Sequence, residues 1–448
     1  MLLENRNYFL LILLHVFIGV AIYQFPIISK VYGFGIILLG LYYVLQYKNA
    51  NHEVLLVAGY MVGSEVLLRM TNGNPFYEFS KYGVTAFILI GFYYQGLAKN
   101  AVPYWIFLAF LIPGVIVGTY NLNYDTEIRK TISFNISGPL CLAIASLYTY
   151  TREVTQQQLN KILLMIGLPV VSTTVYLVLY TPSIRDVVVG TGSNFATSGG
   201  FGPNQVATIL GLGMFVFVSR MLYASPNFWL ALVNGIVAGS IAYRGLVTFS
   251  RGGMITAAAM IVLLIATSYF KVNTSGRSKL RILLIMISVA LVMVWTYSSL
   301  ETGGLIDKRY ANQDAAGRVK ESKFTGREQI FLNELELFFE NPVFGIGVAK
   351  SSEIRYEQTG DRILSHSELS RMLCEHGSFG IAMLLILFFT PMFLYLDNRY
   401  HVFLLCFVAF WLLTINHAAM RVAAPAFVYS LSLLKLIRSN EEHSLSRE

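Results

Sequence analysis

The chain has 448 residues, of which 55% are hydrophobic and 13% are charged, and its mean hydropathy is +0.58. This composition is too apolar for a water-soluble globular protein, and it predicts an integral membrane protein. The formal net charge of +8 would indicate nucleic acid as a partner of a soluble protein. Cytoplasmic loops of membrane proteins are also rich in Lys and Arg, so we expect no nucleic-acid partner here.

Apolar runs of about 17 to 22 residues, the length of a membrane-spanning helix, recur along the whole chain. We count about fourteen, and a broken or interfacial helix would lower the number by up to two. The predicted fold is an all-α polytopic membrane protein with about 12 to 14 transmembrane helices, the first of them retained rather than cleaved as a signal. The runs lie near 8–24, 28–46, 53–69, 82–97, 103–119, 132–150, 159–180, 203–221, 226–248, 252–271, 280–299, 377–396, 400–416 and 421–437.

The short loop KVNTSGRSKLR at 271–281 contains four cations and no acid. Positive residues are concentrated in cytoplasmic loops, so we place this loop and both termini in the cytoplasm. Alternate loops then face the periplasm or the cell exterior. The longest of these outer segments is 300–366, and a loop of this length in a compact protein is usually functional or disordered.

The outer segment contains the sequence TGRE at 325–328, which has the pattern of a capping box. Thr325 is the predicted N-cap, Glu328 completes the box, and an amphipathic run follows. Arg327 is thereby predicted to lie in the first turn of a helix. A helix N-terminus attracts anions through its free N–H groups and its partial positive charge.

The sequence SHSE at 365–368 has the same pattern, with Ser365 as the predicted N-cap and Glu368 three residues later. His366 is predicted to lie in the first turn of this second helix. The partial positive charge there favours a neutral imidazole, which is the form that a general base needs. Glu368, Glu375 or another acid would orient His366.

A third helix start is predicted in TFSRGGM at 248–254, where Ser250 caps the following span and Arg251 lies at its outer end. The two glycines permit close approach of another backbone or a ligand. Arginine binds phosphate oxygens bidentately and keeps its charge when desolvated. Arg251, Arg327 and His366 at helix starts on one side of the membrane are therefore suited to a pyrophosphate and an acceptor hydroxyl.

Each of these residues also has a plainer interpretation. A lone arginine such as Arg251 often snorkels at a membrane interface, and an isolated loop arginine such as Arg327 often lies on an exposed helix face. A histidine such as His366 often serves only as a polar residue of a capping turn. His376, which lies closer to the membrane in the same helix, is expected to be structural.

Other polar residues are expected to have packing roles. Glu65 and Arg69 are spaced i, i+4 on one predicted span and should pair with each other. His417 and Arg421 are expected to be interface residues at a helix junction. The cysteines Cys141, Cys374 and Cys406 have the spacing of neither a disulfide framework nor a metal site, and we predict that they pack in the core. We expect a mechanism without a metal or another cofactor, because the outer loops lack an acidic cluster with metal-ligand spacing.

Four sequences in this order resemble the O-antigen ligase and O-antigen polymerase superfamily of bacterial membrane glycosyltransferases. They are FGPNQVA at 201–207, FSRGGM at 249–254, TGRE with NPVFGIGV between 325 and 348, and SHSELSRMLCEHGSFG at 365–380. The ligase pattern of a histidine, then Asn, Ser or Gln, then nine residues and Gly-x-x-Gly is matched by His366, Ser367, Gly377 and Gly380.

The resemblance implies inverting, metal-independent transfer of a glycan from undecaprenyl pyrophosphate to an acceptor, with membrane lipids as surroundings. His366 resembles the catalytic histidine of the family, and Arg251 and Arg327 resemble its pyrophosphate-contacting arginines. The expected substrate-binding residues are Arg251, Arg327, Asn204, Ser250, Glu368 and Arg371. The expected location is the bacterial inner membrane, with the active site facing the periplasm.

The acceptor distinguishes the alternatives. A ligase passes the glycan to lipid A core, whereas a polymerase extends one lipid-linked glycan with another. The sequence departs from the ligase pattern at Ile381 and Ala382, which replace two threonines, so the pattern leaves the acceptor open. A lipid-linked sugar transporter is a third interpretation, disfavoured because the charges are biased to one surface rather than to the midplane.

The expected organisation is transmembrane helices over 1–299, a periplasmic segment with the catalytic motifs over 300–376, and C-terminal transmembrane helices with a cytoplasmic tail over 377–448.

Overall fold

The computed structural model describes residues 2–123, 125–271, 274–320, 327–360 and 365–437. These residues form eighteen α-helices, one short 3-10 turn at Ala196–Ser198 and two three-residue strands. In chain order the elements are α1 (Leu2–Gln24), α2 (Ile27–Tyr47), α3 (Glu53–Met70), α4 (Phe79–Gln95), α5 (Val102–Asn121), α6 (Ile128–Thr149), β1 (Glu153–Thr155), α7 (Gln156–Tyr180), α8 (Pro203–Tyr223), α9 (Phe228–Leu246), α10 (Arg251–Tyr269), α11 (Thr274–Glu301), α12 (Leu305–Tyr310), α13 (Arg327–Glu340), α14 (Lys350–Thr359), α15 (Glu368–His376), α16 (Ser378–Asp397), α17 (Leu404–Ile415), α18 (Ala424–Leu431) and β2 (Lys435–Ile437).

Thirteen of the fourteen predicted apolar runs coincide with a helix, whereas in the last run, 421–437, only Ala424–Leu431 is helical and Lys435–Ile437 is a strand. Among the described residues, ten helices are long and apolar enough to cross a membrane: α1, α2, α5, α6, α7, α8, α9, α10, α11 and α16. Of the remaining four runs, α4, α17 and α18 are shorter, and α3 carries Glu53, Glu65 and Arg69. The prediction of an all-helical, multi-pass membrane protein is confirmed, and ten helices, rather than 12 to 14, meet both criteria.

The chain divides into two compact units. Unit 1 comprises Met1–Phe87, Val154–Glu321 and Ile437–Glu448, and unit 2 comprises Ile88–Glu153 and Ser322–Leu436. Each unit combines long apolar helices with at least one shorter helix. The predicted site residues Asn204, Ser250 and Arg251 belong to unit 1, and the remaining ones belong to unit 2.

The long helices of unit 1 are closely packed at glycines. A Cβ added at Gly63 of α3 would lie 2.1 Å from the carbonyl oxygen of Ile166 in α7, and one at Gly213 of α8 would lie 2.5 Å from a methyl of Val170. Small residues bring helix backbones together in this way where the surrounding lipid supplies no hydrophobic drive to associate. Glu65 and Arg69 of α3 form a buried ion pair at 2.7 Å, as predicted from their spacing.

The long helices of unit 2 are joined by buried tyrosines. The hydroxyls of Tyr104 in α5 and Tyr429 in α18 lie 2.8 Å apart, and Tyr429 also donates to the carbonyl oxygen of Leu387 in α16 at 2.8 Å. The polar tip of each ring is therefore satisfied inside the apolar core. Cys141, Cys374 and Cys406 are free and buried, which confirms their predicted role as core residues.

Candidate active site

In unit 1, the predicted helix start at 248–254 is present. The turn after α9 places Phe249 at a φ of +57°, Ser250 occupies the N-cap position, and Arg251 is the first residue of α10. The Ser250 hydroxyl does not cap the helix as predicted. It donates instead to Oδ1 of Asn204 at 2.7 Å, and this bond joins two of the predicted substrate-binding residues.

Arg251 is held against α12, a short helix that the sequence analysis did not predict. Nη1 of Arg251 donates to the carbonyl oxygen of Arg309 at 3.3 Å, and Nε of Arg309 donates to the carbonyl oxygen of Phe249 at 2.9 Å. Phe249 and Ile306 share one buried apolar cluster. The turn before α10 and the helix α12 are therefore packed against each other around the two guanidinium groups.

The position of Arg251 also depends on close packing of α10 against α8. A Cβ added at Gly253 would lie 2.3 Å from the carbonyl carbon and oxygen of Ala207. We expect Gly253→Ala to force the two helices apart and to weaken the bond between Ser250 and Asn204. The expected loss in the free energy of unfolding is about 1 to 3 kcal/mol, measured by unfolding of the detergent-solubilised protein.

Gly239→Ala in α9 is the matched control, because the nearest atom to an added Cβ there is a methyl of Val294 at 3.7 Å. That substitution should leave the free energy of unfolding unchanged or raise it by up to about 1 kcal/mol, since Ala favours the helix over Gly. Equal effects of the two substitutions would contradict the account of the contact between α8 and α10.

In unit 2, α13 begins at Arg327, so the prediction that Arg327 lies in the first turn of a helix is confirmed. The predicted N-cap Thr325 lies outside the described residues. Seven residues after Arg327, the side chain of Glu334 is fully buried. Seven residues are about two helical turns, so the start of α13 lies about 10 Å along the helix axis from Glu334.

The second predicted helix start in unit 2 is shifted by two residues. The helix α15 begins at Glu368, and its N-cap is Ser367, whose hydroxyl accepts from the N–H of Ser370 at 3.4 Å. His366 therefore lies in the turn just before the helix and not in its first turn. The reason is that the hydroxyl of Ser365, the predicted cap, contacts Ser367 and the carboxylate of Glu334 instead.

The turn that contains His366 is fixed from two sides. Glu334 accepts hydrogen bonds from the hydroxyls of Ser365 at 3.1 Å and Ser370 at 2.5 Å, and from both terminal nitrogens of Arg355 at 3.3 Å. Arg421 donates to the carbonyl oxygen of Ser365 at 2.7 Å. Burial raises the pKa of Glu334, while Ser370 and Arg355 oppose that rise. The helix that begins at Arg327 thus positions the His366 turn through Glu334.

The next turn of α15 contains a second buried ionic group. Arg371 donates from Nη1 to Glu375 at 2.7 Å, from Nε to Glu368 at 3.2 Å, and from Nη2 to the carbonyl oxygen of Asn135 at 3.3 Å. Nη2 also contacts Glu368. Burial lowers the pKa of Arg371, but Glu368 and Glu375 outweigh that effect and raise it. Both candidate acids for orienting His366 are therefore engaged by Arg371.

Glu375 is fully buried in this group. Burial raises the pKa of Glu375 to about 7, although Arg371 opposes the rise. The pairing of Glu368 with Arg371 indicates that these two residues stabilise α15. Their predicted contact with substrate stays a prediction.

His376 has the structural role that was expected for it. Its imidazole is 2% exposed and packs against α5, where a Cβ added at Gly114 would lie 2.2 Å from Nδ1. Burial, with a smaller effect of Arg371, lowers the pKa of His376 to about 3, so the ring is neutral. The contact explains why Gly114 is needed at this point of α5.

Residues 236–385, a third of the chain, match the family model described as O-antigen ligase. This part of the chain is similar to the O-antigen ligase family. The match includes Arg251, Arg327 and His366, and it confirms the family resemblance that the sequence predicted. No curated protein matches the chain. The family assignment supports an O-antigen ligase or polymerase type of membrane glycosyltransferase, with lipid-linked glycans as the substrate class.

Two residues of the matched region, 236–385, were not predicted from the sequence. Glu334 had a detectable signal, because it is spaced by four residues from both Ile330 and Phe338 and so places a carboxylate on the apolar face of α13. Arg309 had no such signal, since its role depends on contacts with a turn 60 residues earlier. Arg421 was predicted as an interface residue, and the structure shows which turn it contacts.

Proposed function

We propose that the protein is a ligase-type membrane glycosyltransferase that moves a glycan from undecaprenyl pyrophosphate to an acceptor hydroxyl, such as one of lipid A core. The observation that supports this proposal most is that the O-antigen ligase match includes all three predicted catalytic residues. The buried connection from α13 through Glu334 to the His366 turn adds independent support, because catalysis needs a general base that is held in position.

In the proposed reaction, the imidazole of His366 accepts the proton of the acceptor hydroxyl as its oxygen bonds to the anomeric carbon. The bond from that carbon to the pyrophosphate oxygen breaks, and its electron pair leaves with the pyrophosphate. Arg251 and Arg327 stabilise the leaving pyrophosphate, since a guanidinium group bonds phosphate oxygens bidentately. Attack from the face opposite the leaving group inverts the anomeric centre, and the chain's own side chains suffice for each step.

The proposed location is the bacterial inner membrane, with both termini in the cytoplasm and the active site facing the periplasm. The cation-rich loop at 271–281 supports this orientation through the positive-inside rule. In this arrangement, 300–376 is the periplasmic segment that carries Arg327 and His366, and it lies between the transmembrane helices of 1–299 and 377–448.

A repeat-unit polymerase is the second candidate, because Ile381 and Ala382 stand where the ligase pattern has two threonines. The two activities are distinguished by supplying the purified protein with an undecaprenyl-pyrophosphate oligosaccharide alone, and then together with lipid A core. We expect product only when lipid A core is present. A ladder of longer lipid-linked glycans without core would identify a polymerase and contradict the ligase assignment.

A further inference from the structure

A hairpin in unit 1 returns the chain to α12 and places a lysine beside it. Gln313 and Val319 form an antiparallel bridge. The N–H of Lys320 then donates to the carbonyl oxygen of Asn312 at 2.9 Å, and Nδ2 of Asn312 donates to the carbonyl oxygen of Lys320 at 3.2 Å. Lys320 is thereby fixed next to Asn312, which lies three residues after Arg309.

The hairpin brings Lys320 to the two guanidinium groups already described. Arg251 and Arg309 are linked by reciprocal bonds to each other's backbone segments. Burial lowers the pKa of Lys320, and the charges of Arg309 and Arg251 lower it further, while Asp314 opposes them. The two guanidinium bonds and the backbone pairing of Lys320 with Asn312 therefore bring three cationic residues to one part of unit 1.

Two acids in the described part of α12 and the hairpin have partners of their own. Asp314 pairs with Arg318 at 2.7 Å across the turn of the hairpin. Asp307 accepts a hydrogen bond from Nε1 of Trp295 at 2.8 Å and another from the hydroxyl of Ser299. Like charges held together by backbone contacts repel, and a bound anion would offset that repulsion.

We propose that Arg251, Arg309 and Lys320 together form an anion-binding site that takes a phosphate-bearing ligand, and that this ligand is the diphosphate of the lipid-linked donor. The assignment to the donor rests on the proposed function, whereas the phosphate chemistry rests only on the three cations. Asn204 lies beside them through its bond to Ser250 and adds an uncharged amide to the site. In this arrangement, Arg309 and Lys320 add to the positive charge of Arg251 that balances the negative charge of the diphosphate.

The first test is direct binding of inorganic pyrophosphate to the full-length protein in detergent, measured by calorimetry. Lys320→Gln and Arg309→Gln should each lower the affinity about tenfold, the loss of about one charge-assisted hydrogen bond. Arg309→Lys is the second variant if Arg309→Gln does not fold, and it should also weaken binding because a lysine cannot reproduce the guanidinium geometry.

Arg318→Gln is the matched control, since it removes a positive charge from the same hairpin at a side chain that is 82% exposed. It should leave pyrophosphate affinity unchanged. The proposal is overturned if the Lys320 and Arg309 variants bind pyrophosphate as tightly as the unmodified protein. It is equally overturned if Arg318→Gln weakens binding to the same extent, because the effect would then come from net charge.

The second test identifies the source of the phosphate. In a transfer assay, Lys320→Gln should raise KM for the lipid-linked donor about tenfold and leave KM for the acceptor unchanged. A rise in KM for a phosphorylated acceptor alone would overturn the assignment to the donor. Because binding of inorganic pyrophosphate is measured without turnover, failure of the proposed transfer reaction and failure of this site give different results.

Discussion

His366→Ala should strongly slow glycan transfer while leaving the protein folded. Without the imidazole, the acceptor hydroxyl has no group to take its proton, and general-base catalysis typically contributes about 10²- to 10⁴-fold to a rate. The measurement is the initial rate of transfer from a defined lipid-linked oligosaccharide, with unfolding of the same preparation recorded in parallel. We expect kcat to fall by that factor with little change in donor KM, because Arg251 and Arg327 are retained.

The control for this prediction is His52→Asn, in the loop between α2 and α3. His52 has a φ of +62°, and asparagine tolerates this left-handed conformation better than most residues. The control should keep full transfer activity. Full activity of His366→Ala would contradict the proposed role of the imidazole. If His366→Ala does not fold, the same measurement is made on His366→Gln.

Arg371→Met should produce the largest loss of stability among single substitutions in unit 2. Arg371 is 7% exposed and binds two buried carboxylates, so its removal leaves Glu368 and Glu375 without their cation. Breaking a buried ion pair by removing one partner costs about 3 to 5 kcal/mol. The measurement is the free energy of unfolding in detergent, and Arg371→Lys should recover only part of it because lysine lacks the forked geometry.

The loss in the free energy of unfolding caused by Arg371→Met should be smaller at low pH than at high pH. The pKa of Glu375 is raised by burial from its ordinary 4.5 to about 7. A raised carboxyl pKa favours folding below the unfolded value of 4.5, and this contribution is lost as the pH rises through about 7. Removing Arg371 raises the pKa further, so Arg371→Met should be less destabilising at low pH, where the carboxyls are protonated, than at high pH.

Arg318→Met is the comparison for Arg371→Met, because Arg318 also pairs with an acid four residues away but is 82% exposed. Exposed ion pairs contribute about 0 to 1 kcal/mol. The account predicts a several-fold larger effect at Arg371. Equal effects at the two positions, or an Arg371→Met loss that is greater at low pH, would contradict it.

The helices were predictable from the sequence because a membrane interior leaves the backbone few alternatives. Each backbone N–H and C=O must be satisfied within the chain, so a long apolar run becomes a helix. The start of α13 at Arg327 was also predictable from local sequence. Short helices such as α12 and α14 were not predicted, since α14 follows Ala349 at a φ of +72° rather than a capping residue.

The details of the candidate site depended on contacts that local patterns do not encode. Ser365 has the sequence signature of an N-cap, yet its hydroxyl contacts Glu334, which lies 31 residues earlier in the chain. Ser250 likewise occupies the predicted cap position but bonds to Asn204, 46 residues earlier. In both cases a tertiary hydrogen bond replaced the expected helix cap. The residues that position the His366 turn and Ser250 were therefore not predictable from local sequence.

The central claim is that the acceptor oxygen displaces pyrophosphate from the glycan, and the most direct test is the stoichiometry of that exchange. The purified protein is reconstituted in liposomes with a single defined undecaprenyl-pyrophosphate oligosaccharide and its acceptor. Released undecaprenyl pyrophosphate and new glycosidic bonds are counted together. The account predicts one undecaprenyl pyrophosphate released for each bond formed, with inverted anomeric configuration. Movement of the intact lipid-linked donor across the bilayer without release of undecaprenyl pyrophosphate would contradict it.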